Sequence, residues 1–143
     1  MSSREALDPR VIAGNPLVRC INSAFQVDLL GQVNAETIGG FQVAGVGGQL
    51  DFLRGAGLAD DALSIIVLDS TTSDESRGRI VPSFEPGSVV TSTRYDVDYV
   101  VTEHGAAQIG GATSKERARN LINIAHPKFR DELQAAAKAM GLA

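Results

Sequence analysis

Five consecutive residues, Ser64-Ile65-Ile66-Val67-Leu68, constrain the fold more than any other part of the chain. The run is short, rich in β-branched residues, and does not alternate polar with apolar side chains. A strand with one solvated face alternates, whereas a strand that is buried on both faces does not. Strands of the second kind belong to parallel sheets, so this segment predicts an α/β fold.

Further strand segments surround this run. Compact apolar stretches separated by glycine and other turn residues are typical of short strands, and Gly31 interrupts one such stretch at a tight turn. Two extended segments joined at this turn are predicted, the first being Val18–Ala24 with its continuation Val27–Leu30 and the second Gln32–Ala35. The other predicted strands are Arg79–Val81, Val89–Thr93 and Tyr99–Thr102.

The last third of the chain changes to helical spacing. Thr113 and Glu116 match a capping box, in which the two side chains satisfy free N–H groups at a helix start. The dipeptide His126-Pro127 ends this helix and begins another, which Gly141 closes. The predicted apolar stripes are Ala118, Leu121, Ile122 and Ala125 on the first helix, and Phe129, Leu133, Ala136, Ala137 and Met140 on the second.

These segments predict one α/β domain: an open sheet of mainly parallel strands, flanked by helices, with a C-terminal helix pair. A chain of 143 residues is long enough for a real core, because it buries about 68–70% of its unfolded surface. Residues 1–10 are polar and predict an N-terminal arm or a truncated element, and residues 11–143 form the domain.

Composition excludes several classes of protein. The net charge of −4 and the pI of about 5.1 argue against nucleic acid as a partner. Cys20 is the only cysteine, so the chain has no internal disulfide, and we expect a buried, inert thiol. With two histidines and no carboxylate cluster at ligand spacing, we expect no metal site. No signal peptide or apolar run of about 18 residues is present, which predicts a cytoplasmic protein away from membranes.

The glycine-rich run from Gly45 to Phe52 is the main functional feature. Three glycines in four positions, at Gly45, Gly47 and Gly48, let bare N–H groups approach an anion closely and make positive φ inexpensive. The residues that follow predict a helix, and a glycine loop before a helix N-terminus is a ready anion site. The glycines alone leave a tight structural turn equally open. The run matches neither a P-loop nor a dinucleotide fingerprint.

The ordered set of motifs resembles the C-terminal domain of the acetyl-CoA hydrolase/transferase family, which includes the 4-hydroxybutyrate CoA-transferases. The resemblance runs from about residue 9 to the C-terminus. Its motifs are Ile21-Asn22-Ser23-Ala24, Val27–Asn34, Gly45–Phe52, Arg54-Gly55-Ala56, Ser64-Ile65-Ile66, Arg79-Ile80-Val81-Pro82, Asp96–Gly105, Glu116-Arg117-Ala118 and Ile124-Ala125-His126-Pro127.

This resemblance implies a CoA-transferase α/β fold and a defined chemistry. A glutamate attacks an acyl-CoA, and the reaction continues through an anhydride to a glutamyl-CoA thioester. An acceptor carboxylate then takes the CoA from this intermediate, or water hydrolyses it. In the family, N–H groups of the glycine loop hold the oxyanions, which by motif match assigns a catalytic role to Gly47 and Gly48. Coenzyme A or an acyl-CoA is the expected substrate, with a small carboxylic acid.

The resemblance also implies residues that contact CoA. Gly45 shapes the turn, and Val46, Gln49, Asp51 and Asn22 are the further predicted CoA-binding residues. Helix capping is an open alternative for Asp51, and a structural hydrogen bond is an open alternative for Asn22. His126 is predicted as an N-cap neighbour.

The family's nucleophilic glutamate lies upstream of the Ile-Asn-Ser-Ala motif, on a segment outside this sequence. We therefore expect a partner N-terminal domain, in cis or in trans, a homo-oligomer, and no turnover by the isolated chain. Leu7 stands where the family has an asparagine that holds a thioester oxygen. Two alternatives are weaker. Glu36 is a candidate substitute nucleophile, but nothing in the sequence places it against the glycine loop. Glu103 with His104 is a candidate acid–base pair, but neighbours on a strand point to opposite faces. A stand-alone module that binds CoA or a protein without catalysis is the alternative function.

Overall fold

The structure is a computed structural model that describes residues 2–143. Its helices are α1 (Ser3–Ala6), α2 (Pro9–Ala13), α3 (Gln49–Leu58), α4 (Ser114–Ile124) and α5 (Arg130–Ala139), with a 3₁₀ turn at Pro127–Phe129 before α5. Its strands are β1 (Arg19–Ser23), β2 (Gln26–Asp28), β3 (Val33–Asn34), β4 (Thr37–Ile38), β5 (Phe41–Gln42), β6 (Leu63–Val67), β7 (Ile80–Val81), β8 (Tyr99–Thr102) and β9 (Gly105–Gln108).

The main sheet has four strands in the order β1-β6-β8-β9. β6 pairs in parallel with β1 and with β8, and β9 returns antiparallel to β8. The strand predicted from Ser64–Leu68 therefore lies inside a mainly parallel sheet. The predicted fold class is confirmed.

The helices of this sheet lie on one of its faces. The Cys20 thiol of β1 donates to the carbonyl of Phe52 on α3, and the Thr102 hydroxyl of β8 donates to the carbonyl of Ile124 on α4 at 2.6 Å. We call this side, which also carries Ile66 and Val100, the covered face. Ile66 and Val100 are completely buried there.

Two smaller sheets complete the fold. β2 pairs with β3 and β7 in the order β3-β2-β7, and β4 with β5 forms a separate hairpin. Val27, Leu29 and Val33 of the three-stranded sheet and its turn join the core that contains Ile66 and Val100. This sheet is therefore part of the layer over the covered face.

The structure corrects two strand predictions. The segment Val89–Thr93 is not a strand, because Ser92 forms only an isolated bridge with Val33. β6 alternates between buried and partly exposed residues, so it is not buried on both faces as its sequence predicts. The reason is that its second face is uncovered within residues 2–143. The antiparallel strand β9 is an addition that the sequence pattern did not predict.

Other local predictions are confirmed. Thr113 and Glu116 form the capping box at the start of α4. His126, predicted as an N-cap neighbour, is itself the N-cap of the 3₁₀ turn and accepts from the Lys128 N–H through Nδ1. Leu133 and Ala137 of the second stripe are buried, whereas Met140 is exposed. Within residues 2–143, no helix has the length and hydropathy needed to cross a membrane.

Candidate functional site

The glycine loop lies at the carboxyl edge of the main sheet. α3 ends at Leu58, and β6 begins at Leu63, so the C-terminus of α3 is at the amino end of the strands. The N-terminus of α3 therefore points to the carboxyl end, and residues 45–48 directly precede it. Ligands of α/β sheets bind at this edge.

Four consecutive N–H groups of the loop are free. Within residues 2–143, the N–H groups of Gly45, Val46, Gly47 and Gly48 donate no hydrogen bond to the protein. Gly47 has a φ of 57°, and Gly48, the N-cap of α3, has a φ of −95°. Such a change of sign between successive residues is typical of the concave backbone turns whose N–H groups bind anions. The helix dipole adds positive potential at the same point.

Contacts on both sides hold the loop in place. The Glu36 carbonyl accepts from the N–H groups of Val43, at 2.8 Å, and Ala44, at 3.1 Å. On the helix side, the buried Gln49 donates from Nε2 to the Ser92 hydroxyl at 3.1 Å. The loop is thus a fixed turn between two anchors.

Glu36 was predicted only as a weak nucleophile candidate, and nothing in the sequence placed it near the loop. The structure puts its backbone against Ala44. Its carboxylate accepts from the Gln42 amide at 3.2 Å. This exposed contact stabilises the turn that leads into the glycines.

Leu7 packs against the loop. A Cβ added to Gly48 would lie 2.5 Å from Cδ2 of Leu7 and 3.4 Å from the ring of Phe52. The position at which the family resemblance implies an asparagine is therefore in contact with the predicted oxyanion loop. Residues 1–10, predicted as an arm, include a residue of the site, although their division from the domain at residue 10 stays a prediction.

The predicted CoA-binding side chains differ in what they contact. Gln49 is buried and bonded to Ser92, whereas Val46 is 43% exposed beside the free N–H groups. Asp51 is half-buried in the first turn of α3, and Asn22 is half-buried on β1 on the same face as Cys20. Within residues 2–143, neither Asp51 nor Asn22 has a side-chain hydrogen bond. Their roles in CoA binding stay predictions.

A second feature of the carboxyl edge was missed from the sequence. A depression of about 420 Å³ lies where β1, β6 and β8 end, and Ser23, Asp69, Arg79 and Glu103 are among its lining residues. The Glu103 carboxylate accepts from the Ser70 N–H at 2.9 Å and from the Ser70 hydroxyl. Burial raises the pKa of Glu103, but hydrogen bonds from Ser70 and from the backbone of Glu103, together with the nearby His104, outweigh it, so the pKa lies below its usual range.

Glu103 and His104 do lie close together, although the sequence argument placed them on opposite faces. They occupy the turn between β8 and β9, and Nε2 of His104 is 3.5 Å from Oε1 of Glu103. His104 also meets the ring of His126 edge to face, with 5.4 Å between centroids. Because the turn ends the alternation of the strand, the two side chains converge, and no sequence signal indicates this.

The site contains no obvious metal cage. Within residues 2–143, no group of three or more His, Cys, Asp or Glu residues is arranged to hold a metal ion. The Cys20 thiol is buried, and burial raises its pKa. The prediction of a buried thiol is confirmed.

The comparisons with known proteins identify the family. The profile of the acetyl-CoA hydrolase/transferase C-terminal domain matches residues 1–137. The chain is 52% identical to a 4-hydroxybutyrate coenzyme A transferase of Clostridium kluyveri over 126 residues, which are 88% of this chain and 29% of that protein. It is 48% identical to a succinyl-CoA:cyclohexane-1-carboxylate CoA transferase of Geobacter metallireducens over 92% of this chain and 30% of the relative.

Solved structures agree as well. RipA from Yersinia pestis superposes with a TM-score of 0.89 at 45% identity, over 97% of this chain and 31% of that one. A 4-hydroxybutyrate CoA-transferase from Porphyromonas gingivalis gives a TM-score of 0.77 at 37% identity, over 95% of this chain and 30% of that one. The chain thus spans less than a third of the relatives that it matches. It belongs to the acetyl-CoA hydrolase/transferase family and corresponds to the C-terminal domain of that family.

Proposed function

We propose that this chain is the C-terminal part of an enzyme that transfers CoA between an acyl-CoA and a small carboxylic acid. The observation that carries the proposal is the row of four free N–H groups from Gly45 to Gly48 at the start of α3. Oxyanions form at each acyl-transfer step, and preorganised donors that face them are the largest single source of rate enhancement in such reactions.

The proposed reaction proceeds by exchange of acyl bonds. A glutamate carboxylate attacks the thioester carbon, forming a C–O bond as the C–S bond breaks, and CoA leaves as a thiolate. The thiolate then attacks the glutamyl carbon of the anhydride, forming glutamyl-CoA and releasing the first acid. An acceptor carboxylate reverses these two steps and leaves with CoA. No step needs a metal.

We assign the roles of individual residues from the family resemblance. Gly47 and Gly48 donate N–H groups to the oxyanion, and Gly45 and Val46 continue the same row. Gln49 holds the helix start through Ser92, while Asp51 and Asn22 flank the bound thioester. Each assignment is supported by the family match and by the position of the loop at the carboxyl edge.

The nucleophilic glutamate is assigned to the part of the enzyme outside the matched region. The matched relatives have more than two thirds of their length there. Their names contain 4-hydroxybutyrate and, with succinyl-CoA, cyclohexane-1-carboxylate, and we assign a small carboxylic acid as the acceptor of this enzyme. We place it in the cytoplasm, as a homo-oligomer completed by an N-terminal domain in cis or in trans.

The test uses a chimera in which this chain replaces the matched region of the Clostridium kluyveri enzyme. Gly47→Val forces a β-branched residue into positive φ and displaces the N–H groups, so kcat for thioester exchange should fall about 10²-fold or more. Gly57→Ala on the exposed side of α3 is the matched control, because an added Cβ there meets nothing within 4 Å. Its kcat should match that of the parent chimera.

Two results would contradict the proposal. One is a Gly47→Val chimera that folds and keeps the parental kcat. The other is clear thioester exchange by the isolated chain, which would place the nucleophile within these residues. If the isolated chain binds CoA but an active chimera cannot be made, the alternative function, a binding module without catalysis, replaces the proposal.

A further inference from the structure

The second face of the main sheet is uncovered and mostly apolar, with Arg19 on β1 and Gln108 on β9 at its two edges. In register, Ile21, Ile65 and Tyr99 form one row across β1, β6 and β8, and Ser23, Val67 and Val101 form the next. We call these six residues the open face. Ile21 is 65% exposed and Val67 is 39% exposed, whereas Ile66 of the covered face is 0% exposed. Mainly parallel sheets almost always have both faces covered.

The outer edge of β1 is also free. β1 pairs only with β6 in the described chain. On the side that faces β6, the Val18 carbonyl accepts from the N–H of Leu63. Because backbone groups alternate in direction along a strand, the N–H and carbonyl groups of Arg19, Ile21 and Ser23 point away from β6. Unprotected edges of this kind recruit another strand.

A groove runs along this free edge. It has a volume of about 730 Å³ and includes Val11, Ile12, Val18, Ile21 and Phe52 in its lining. Val11 and Ile21 are exposed, and Phe52 is 39% exposed. The groove thus gives an added strand an apolar wall beside its hydrogen-bonding partners.

Topology indicates where a cover for the open face must come from. Strand–helix–strand crossovers are right-handed in about 98% of cases. Because β1, β6 and β8 advance in one direction across the sheet, right-handed crossovers pass over the same face, and α3 lies on that face between β1 and β6. For right-handed crossovers to place helices on the open face, successive strands must be added in the opposite direction across the sheet, beyond the free edge of β1. This arrangement is a doubly wound sheet, whose ligand site lies where the two halves meet.

We propose that the open face and the free edge of β1 form one docking surface for the remainder of the family enzyme. Its strand pairs alongside β1, and its helices pack on Ile21, Ile65 and Val67. The matched relatives have about 70% of their length outside the region that this chain spans. This length is sufficient to supply the strands and helices of a second half of the sheet. The identity of the partner rests on the proposed function. The docked half meets this one beside the glycine loop, so docking assembles the site.

The test measures binding and needs no activity. The tagged chain is co-expressed with the Clostridium kluyveri transferase segment that lies outside the matched region, and the purified complex is quantified. Ile21→Lys introduces a charge into the proposed interface, so the recovered complex should fall about tenfold or more. Leu58→Lys is the matched control, because Leu58 is 66% exposed on α3, away from the open face. It should leave recovery unchanged.

Urea unfolding of each isolated variant separates loss of binding from loss of folding. Hydrogen exchange of the Ile21 N–H, compared between the isolated chain and the chimera, provides a second measurement. We expect strong slowing in the chimera, because the N–H enters a sheet ladder. Equal recovery of the two lysine variants overturns the proposal, and so does unchanged exchange at Ile21. A dimer of the isolated chain that depends on Ile21 and excludes the segment would assign the surface to a second copy instead.

Discussion

The two faces of the main sheet have similar sequences but different surroundings. In β6, Ile66 lies under α3 and the three-stranded sheet and is fully buried, while its neighbours Ile65 and Val67 lie on the open face. The apolar side chains alone do not reveal this difference. The comparison teaches that the apolar sequence of a strand does not by itself show which of its faces is covered in the folded chain.

The clearest way to sharpen this comparison is to truncate one isoleucine on each face. In the isolated chain, Ile66→Ala should lower the free energy of unfolding by about 2–5 kcal/mol, because it removes buried methyl groups and leaves a cavity. Ile21→Ala should change it by about 0.5 kcal/mol or less, since Ile21 is already mostly solvated. Urea denaturation followed by circular dichroism measures both. Equal losses would mean that the open face is covered in solution.

A smaller effect is expected from two glycines of α3, the helix that covers the sheet. A Cβ added to Gly55 would lie 2.6 Å from Cβ of Ile12 on α2, whereas one added to Gly57 meets nothing within 4 Å. Gly55→Ala should therefore destabilise the chain by about 1–3 kcal/mol through overpacking. Gly57→Ala should stabilise it by about 0.5–1 kcal/mol, because alanine loses less backbone entropy in a helix. Thermal unfolding of both variants checks the opposite signs, and two changes of the same sign would contradict the packing of α2 on α3.

Much of the fold was predictable because its signals are local. The capping box of Thr113 and Glu116, the turn at Gly31 and the apolar run of β6 each depend on neighbouring residues, and the structure has all three. The segment Val89–Thr93 was predicted wrongly as a strand, because β propensity does not supply a pairing partner. β9 was missed because Gly105-Ala106-Ala107-Gln108 carries little β-propensity signal, and its pairing with β8 determines its conformation.

The site was less predictable, because its contacts join distant parts of the chain. The glycine loop could be found from its composition and its helix. The anchoring of Gln49 by Ser92 spans 43 residues, and the contact of Leu7 with Gly48 and that of Ser70 with Glu103 are equally non-local. Such pairs have no sequence periodicity, so only the folded chain reveals them.

The smallest expected effect concerns the charge of Asp28, which lies in the layer over the covered face. The six residues of the open face carry only apolar and hydroxyl groups. Asp28 is 3% exposed and accepts from the N–H groups of Leu30, at 3.1 Å, and Gln32, at 2.8 Å. Burial raises the pKa of Asp28, although hydrogen bonds from Gln32, Leu30 and Gly31 oppose the shift. Because the folded pKa lies above the unfolded value, the stability contributed by this group is complete at low pH. It is lost as the pH rises through the folded pKa.

Asp28→Asn keeps a carbonyl acceptor for the turn and removes the charge. The stability of the variant relative to the wild type should therefore increase as the pH rises from about 3 to 7, in the range above the ordinary aspartate pKa. Urea unfolding of both proteins at matched pH values gives the difference between their free energies of unfolding. The contributions of the other carboxylates are the same in both proteins and cancel in this difference. A relative stability that falls with pH would mean that the hydrogen bonds outweigh burial. Asp28 would then be a favourable anion, and the covering layer would tolerate buried charge more readily than its apolar packing indicates.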